Sequence, residues 1–152
     1  MHIQYAAEVP GDTQVYLECP TVGVPRRRHR QGKTPTRLKV LRRQLPHEVR
    51  GLARSRQTTW PRVAVAVRHT ERGKLMADCA VRPVWTLTES LQVRREWLVI
   101  RRDDDGRLTS VLLNAPESTP TQTLIERSCQ CYFTERTLDF IHSYLFRVRK
   151  DQ

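Results

Sequence analysis

EWLVIRRDDDGRLTSVLLN, residues 96–114, has the pattern of two strands joined by a tight turn, and it decides the fold class. Residues 96–102 and 107–114 are apolar in their centres, whereas residues 103–106 are DDDG. Asp and Gly favour tight turns between antiparallel strands. Three adjacent aspartates look like a metal site, but neighbouring residues point in different directions. The stretch therefore predicts a β-hairpin with DDDG at its tip.

Two further strand pairs are predicted upstream of this hairpin. In PRVAVAVRH (61–69) three valines alternate with small or charged residues, which favours a half-buried strand. ERGK then predicts a turn, and LMADCAVRPVW (75–85) predicts the return strand. Near the N-terminus, HIQYAAEV and TQVYLEC flank the turn sequence PGD. Residues 1–19 therefore predict a short strand pair, and residues 58–114 predict β-hairpins.

The hydrophobic period changes after the last hairpin. APESTP (115–120) predicts a helix start, with Ser118 or Thr119 as the cap and Pro120 at the first helical position. No Pro or Gly occurs from residue 121 to residue 149, so residues 118–149 predict one long helix, or two with a bend near residues 128–130. A length of 152 residues suits one domain. The predicted fold class is α+β, an antiparallel hairpin-rich sheet plus a long C-terminal helix.

Glu135 is the unusual residue of the predicted helix. A row of residues spaced by seven marks one helical face, and three more residues follow four positions later on the same face: Leu124, Cys131, Leu138, Leu145, then Ser128, Glu135, His142. Glu135 is therefore predicted to point inward, where an unpaired carboxylate is costly. Two interpretations stay open: an ion pair with one of the 27 basic residues, or a metal ligand.

The charge of the chain predicts an anionic partner. Lys and Arg number 27 against 16 Asp and Glu, which gives a formal net charge of +11. The usual partners of such a chain are nucleic acid or an anionic membrane surface. No apolar run approaches the ~18 residues that span a bilayer, and the N-terminus has no signal-peptide pattern, so a cytoplasmic location is predicted. The four cysteines are then expected to be reduced thiols.

A dense run of positive charge lies in residues 20–57, which we call the basic arm. Nine Lys or Arg residues lie between Arg26 and Arg43, and several Pro and Gly residues interrupt them. Repelling charges and prolines predict a loop, with short helical turns between residues 35 and 56. Lys and Arg neutralise phosphates, so we predict DNA binding; the alternative is a solvated linker. The predicted DNA-binding residues are Arg26, Arg27, Arg28, Arg30, Lys33, Arg37 and Lys39.

Two stretches resemble a known family. EWLVIRR…GRLTSVLLNAPESTPTQTLIERSCQCYFTERT, within residues 96–137, resembles the C-terminal catalytic region of DDE-type transposases from bacterial insertion sequences. VPGDTQVYLECPTVGVPRRRHRQGKTPTRLKVL, residues 9–41, resembles the basic stretch that follows the second catalytic aspartate in one branch of that superfamily. The resemblance covers about residues 3–138. Its specific part is the order of a Glu-Trp-Leu strand, an Asn-Ala-Pro turn, a Thr-Pro helix start, and Arg-Thr after a glutamate.

The resemblance implies an activity and a site. It implies a ribonuclease H-like fold with a β-rich insertion, and DNA cleavage and strand transfer during transposition in the full-length parent. Glu135 matches the final carboxylate of the Asp-Asp-Glu triad, which makes it the implied catalytic and metal-binding residue. The implied cofactor is Mg²⁺, which prefers the hard oxygen ligands that carboxylates supply. The implied setting is the bacterial cytoplasm.

The sequence also departs from the family pattern. Both catalytic aspartates would precede Met1; Cys131 and Tyr132 stand where Arg-Trp is usual, and His142 where a lysine is common. Beyond Leu138 the resemblance ends. We therefore expect a truncated transposase remnant, a single partial domain that is inactive alone and open to self-association through an unpaired sheet edge. The alternatives are a small basic nucleic-acid-binding protein without catalysis, or a gene product without function.

Overall fold

The structure, a computed structural model, describes residues 5–66 and 74–130 of the chain. These residues form nine strands, one short helix and the start of a second helix. We number the elements β1 (Ala6–Val9), β2 (Gln14–Val15), β3 (Val22–Gly23), β4 (Lys39–Val40), β5 (His47–Glu48), α1 (Val49–Arg54), β6 (Arg62–Ala66), β7 (Lys74–Leu87), β8 (Val93–Arg102), β9 (Leu108–Leu113) and α2 (121–130).

One curled antiparallel sheet of five strands dominates the described part of the chain. Its strand order is β1-β9-β8-β7-β6, and every neighbouring pair is antiparallel. Ten residue pairs join β7 to β8, from Asp78↔Arg102 to Leu87↔Val93. The predicted pairings of β6 with β7 and of β8 with β9 are both confirmed. The predicted ERGK turn between β6 and β7 lies outside the described residues, apart from Lys74. The described fold is a β-rich α+β structure, as the hairpin signals predicted.

The predicted pairing of the first two strands is wrong. The turn at the PGD sequence does form, with the Thr13 amide donating to the Pro10 carbonyl oxygen at 3.1 Å. However, β1 pairs with β9, and β2 pairs with β5. Just after β2, Tyr16 forms an isolated bridge to Trp85 of β7. The chain therefore leaves the sheet after β1 and crosses to one of its faces. Both faces of the sheet are apolar, and β2 helps to bury one of them.

Both faces of the sheet carry a hydrophobic cluster. α2 covers one face, where its buried residues join alternate residues of β6 to β9: Val65, Ala77, Cys79, Val99, Val111, Leu113, Leu124, Ile125 and Cys129. β2 and α1 cover the other face, with Val15, Val49, Leu52, Ala80, Val84, Leu98, Ile100 and Leu112. Because both faces are buried, the centre of β8 is continuously apolar instead of alternating.

Helix α2 begins where the sequence predicted. The Leu124 amide donates to the Pro120 carbonyl oxygen at 3.1 Å, so Pro120 lies at the helix start. Leu124 and Ser128, two members of the predicted inward face, are buried, and Ile125 and Cys129 lie beside them against the sheet. The helix is described to residue 130, and the remainder of the predicted 118–149 helix lies outside the described residues.

In the described ranges no helix is long and apolar enough to cross a membrane.

Truncation of Leu124 tests how firmly α2 packs on the sheet. Leu124 is fully buried, so we expect Leu124→Ala to lower the free energy of unfolding by about 2–5 kcal/mol. Leu45→Ala is the matched control, because Leu45 is 77% exposed and should change stability by less than about 0.5 kcal/mol. The measurement is chemical denaturation of both variants. Equal, small decreases in the free energy of unfolding for the two variants would show that the packing of Leu124 on the sheet does not stabilise the fold.

Candidate nucleic-acid interface

The middle of the basic arm forms a loop, residues 24–38, that is closed at its base by a short antiparallel ladder. β3 pairs with β4 through Val22↔Val40 and Gly23↔Lys39. One residue further along the chain, the Leu41 amide donates to the Thr21 carbonyl oxygen at 2.7 Å. We call residues 24–38 the basic loop. Its two ends are therefore held together by backbone hydrogen bonds.

The Gln44 side chain reinforces the base of the basic loop. Its amide oxygen accepts from the Thr21 backbone amide at 2.7 Å, and its nitrogen donates to the Cys19 carbonyl oxygen at 3.2 Å. Arg42 and Arg43 precede it with φ values of 61° and 50°. Two successive residues with positive φ reverse the chain sharply, although the conformation is uncommon for residues with side chains. This turn brings Gln44 back to the strand that enters the loop.

The predicted DNA-binding side chains are all exposed. Six of them lie in the basic loop, and Lys39 lies at its base in β4: Arg26, Arg27, Arg28, Arg30, Lys33, Arg37 and Lys39. Within residues 5–66 and 74–130, none of the seven forms an ion pair with an acidic side chain. The sequence from residue 19 to residue 47 contains no Asp or Glu. The charge of the loop is thus uncompensated locally.

Arg27 differs from the other basic residues of the loop because it also shapes the loop. Its Nη2 atom donates to the Gly32 carbonyl oxygen at 2.9 Å and also to the Arg30 carbonyl oxygen. Gly32 has a φ of 111°, a conformation that favours glycine. The loop therefore turns back on itself around one guanidinium, and its other charged side chains extend into solvent.

The short helical turns predicted between residues 35 and 56 form only near the end of that range. α1 begins at Val49, three residues after Pro46, and its side chains Val49 and Leu52 are buried in the core. Before Pro46, β4 and the turn at Arg42 and Arg43 replace the predicted helical turns. The exposed, strongly basic part has no apolar stripe to bury, so a helix there would gain no packing energy.

The aspartates of the DDDG sequence form the predicted hairpin tip. The Gly106 amide donates to the Asp103 carbonyl oxygen at 2.9 Å, and Gly106 has a φ of 83°. The Asp105 carboxylate accepts from the Arg107 amide at 2.9 Å. The Asp104 carboxylate instead pairs with Arg62 of β6 at 3.1 Å. The Asp103 carboxylate accepts from Arg101 at 2.9 Å. The three carboxylates therefore make three different contacts, as expected for neighbours in a turn.

Glu96, the one buried carboxylate among the described residues, was not predicted from the sequence. Glu96 is 4% exposed, and the Thr86 hydroxyl donates to its Oε2 atom at 2.7 Å. Burial raises the pKa of this carboxyl above its usual range. Glu96 lies on the same face of β8 as Leu98 and Ile100, which belong to the cluster beneath α1. Its spacing of two and four residues from Leu98 and Ile100 places it on their face, but the continuous apolar run 97–100 does not show which face is buried.

A second polar group lies between α2 and the sheet. Arg101 is buried, and its guanidinium donates to Asp103 at 2.9 Å and contacts the Cys129 Sγ atom at 3.7 Å. Cys79 pairs with Arg101 across β7 and β8. Burial raises the pKa of the Cys79 thiol to about 11, and the nearby Cys129 adds to this shift. Cys79 is therefore a protonated, unreactive thiol at neutral pH.

Glu135, the predicted catalytic and metal-binding residue, lies outside the described residues. Across the described ranges, no group of three or more His, Cys, Asp or Glu side chains could hold a metal ion. The described residues therefore do not supply the set of carboxylates that the predicted Mg²⁺ site requires.

Comparison of the chain with protein-family models, with curated proteins and with solved structures finds no match in any of the three.

The buried carboxyl of Glu96 predicts a pH-dependent stability. Its folded-state pKa is above the unfolded value, so the folded chain keeps a proton that the unfolded chain releases. The free energy of unfolding should therefore fall as the pH rises from the unfolded pKa through the folded pKa. Glu96→Gln keeps the bond from Thr86 and removes this fall. Its stability relative to the unchanged chain should rise through that window and then level off.

Thermal or denaturant unfolding from pH 4 to pH 8 measures this difference, with Glu89→Gln as the control. Glu89 is exposed and should show no such trend. A Glu96→Gln variant that loses stability relative to the unchanged chain as the pH rises would show that the ionised carboxylate stabilises the fold.

Proposed function

We propose that this chain binds DNA through its basic loop and is part of a DDE-type transposase. The observation that carries the proposal is the basic loop: six exposed Lys and Arg side chains, with Lys39 at its base, on a loop whose ends are held by hydrogen bonds. The resemblance of residues 9–41 and 96–137 to transposases of bacterial insertion sequences supports the second half of the proposal.

The geometry of the basic loop suits binding to the phosphate backbone. Exposed guanidinium and ammonium groups neutralise phosphates and release condensed counterions, which gives affinity without base recognition. The β3–β4 ladder and Gln44 limit the freedom of the loop ends, so less conformational entropy is lost when the loop binds. We therefore assign duplex DNA as the partner, with little preference for its sequence.

The proposed fold extends the described one. In this proposal the antiparallel sheet belongs to the β-rich insertion of a ribonuclease H-like domain, and α2 is the first part of the long helix that carries Glu135. Glu135 would be one carboxylate ligand of Mg²⁺, whose oxygen preference it fits. A two-metal site needs several carboxylates, so we assign no catalysis to Glu135 acting alone. The proposed location is the bacterial cytoplasm.

Self-association is the second proposed interaction. Among the described strands, β1 and β6 are the edges of the five-stranded sheet. An edge strand presents unpaired backbone groups to a second chain. We expect the chain to form dimers or larger assemblies through one of these edges, which sedimentation at several protein concentrations will detect. A monomer at every concentration would exclude this contact.

Neutralising part of the basic loop should weaken DNA binding in a salt-dependent way. Each phosphate contact contributes about 0.9 to the negative slope of log K against log salt. The triple variant Arg26→Ala, Arg28→Ala, Arg30→Ala should therefore flatten that slope by about 2–3 units and weaken binding to any duplex alike. Fluorescence anisotropy with two unrelated duplexes, from low to physiological salt, measures both effects.

The matched control removes three charges elsewhere. Arg82, Arg94 and Arg107 are exposed, and within the described part of the chain none of them forms an ion pair. Their replacement by Ala changes the net charge equally but should flatten the slope by less than 1 unit, about one contact. Equal slopes for the two triple variants would mean that net charge and not the basic loop binds DNA.

The proposed role of Glu135 has a separate test. The purified chain should not nick supercoiled DNA with Mg²⁺, because one triad carboxylate cannot hold two metal ions. If Glu135 is a ligand without its partner carboxylates, Glu135→Gln should leave the unfolding midpoint equal or higher. If it forms a buried ion pair, the change should cost about 3–5 kcal/mol. Mg²⁺-dependent nicking, or a large loss in Glu135→Gln, would contradict this role.

A further inference from the structure

An open pocket of about 490 Å³ lies between the chain that follows α1 and the β8–β9 hairpin. Its size is within the usual range for small-molecule sites, about 300–1,000 Å³. The side chains that matter here come from two distant parts of the sequence: Arg54, Arg56, Thr58 and Trp60 from one, Arg102 and Leu108 from the other. None of its lining residues is an Asp or a Glu.

Two guanidinium groups at this pocket have no partner of their own in the described part of the chain. Arg54 and Arg56 are exposed, and neither forms a hydrogen bond or ion pair there. The third guanidinium, Arg102, is paired with Asp78 at 3.2 Å. Asp78 also lies 3.5 Å from Arg62, whose nearer partner is Asp104 at 3.1 Å. The pocket therefore has an excess of positive charge and favours an anion.

Arg102 and Trp60 form a stacked pair at the pocket. The Arg102 guanidinium carbon lies 4.4 Å from the centre of the Trp60 ring. Asp78 binds one of the Arg102 Nη atoms, and such a bond occupies an edge of the guanidinium. One face is thus against Trp60, one edge is against Asp78, and 42% of the side chain is still exposed. A flat guanidinium that is partly exposed can serve as a stacking surface for a nucleobase.

An exposed apolar residue extends this surface. Leu108 at the start of β9 lines the pocket and is 42% exposed. A free anion such as phosphate gains no binding energy from the aliphatic side chain of Leu108 or the indole of Trp60. The combination of unpaired guanidiniums with a stacked Arg–Trp pair and an apolar residue suits a ligand that carries both a phosphate and a flat ring.

The backbone beneath the two free arginines is held in place. The Ser55 amide donates to the Leu52 carbonyl oxygen at 3.2 Å, and the Thr58 amide donates to the Ser55 carbonyl oxygen at 3.2 Å. The Thr58 hydroxyl also donates to the Leu52 carbonyl oxygen at 2.6 Å. The Ser55 Oγ atom accepts from the Gln57 amide at 3.3 Å. These bonds pre-form the segment that carries Arg54 and Arg56, which lowers the entropy lost on binding.

We propose that this pocket binds one nucleotide, with its phosphate on Arg54 and Arg56 and its base stacked on the exposed face of Arg102. The ligand is either a free nucleotide or an unpaired nucleotide of a single strand. The base of a duplex is already stacked on both sides and is not available to this surface. The pocket is a different site from the basic loop, and its ligand binds whether or not the loop binds DNA.

The test is a titration of the full 152-residue chain with thymidine 5′-monophosphate, monitored by NMR chemical shifts and by isothermal titration calorimetry. We expect the nucleotide to bind at least tenfold more tightly than thymidine or inorganic phosphate. The double variant Arg54→Ala, Arg56→Ala should weaken nucleotide binding at least tenfold, whereas Arg82→Ala, Arg94→Ala, which removes the same charge elsewhere, should not. Arg102→Lys keeps the charge but loses the flat surface, so it should weaken the nucleotide several-fold and leave phosphate binding unchanged.

Competition by oligothymidylate distinguishes the two sources of the ligand. A strand that displaces the nucleotide identifies single-stranded nucleic acid as the ligand, and a strand that does not displace it identifies free nucleotides. Loss of duplex binding in the basic-loop variant with unchanged nucleotide binding separates this site from the proposed function. Equal affinity for nucleotide and phosphate, equal effects of the two double variants, or no nucleotide binding at millimolar concentration would overturn the proposal.

Discussion

The pairing of β7 with β8 is the interaction on which the rest of the described structure depends. Ten residue pairs fix the register, and a shift by one residue would exchange the two faces of the sheet. In the observed register Cys79 and Val99 face α2, whereas Val84 and Leu98 face α1. The same ladder opposes Asp78 to Arg102, and an ion pair joins their side chains at 3.2 Å beside the pocket. The register therefore sets the core and one of the two candidate sites together.

The two sites use charge in different ways. The basic loop has no described acidic partners and little packing, so its charges extend into solvent where a large anionic surface can reach them. In the pocket, one arginine is held by a carboxylate and an aromatic ring, and two others on an adjacent fixed segment have no partners in the described ranges. A set of exposed, unpaired charges suits a sequence-independent polyanion. A fixed set with a flat surface suits a small ligand of defined shape.

Local signals in the sequence predicted the local parts of the fold. The hairpins β6–β7 and β8–β9 follow from alternation and turn residues, and the start of α2 follows from Pro120. The partner of β1 could not be predicted, because β9 lies about a hundred residues further along the chain and its pairing has no local signal. Glu96 was missed because β8 is apolar on both faces. The pocket could not be predicted, because Arg54 and Arg102 are distant in sequence and line one pocket only in the folded chain.

If DNA contacts the basic loop and not the five-stranded sheet, as proposed, only signals from the loop should respond to DNA. The most direct measurement is a ¹⁵N-resolved NMR titration of the full chain with a short duplex at physiological salt. The shifted amide signals should belong to residues 24–39, and the signals of β7 and β8 should stay in place. Shifts concentrated on the five-stranded sheet, or spread evenly over every exposed Arg and Lys, would contradict it.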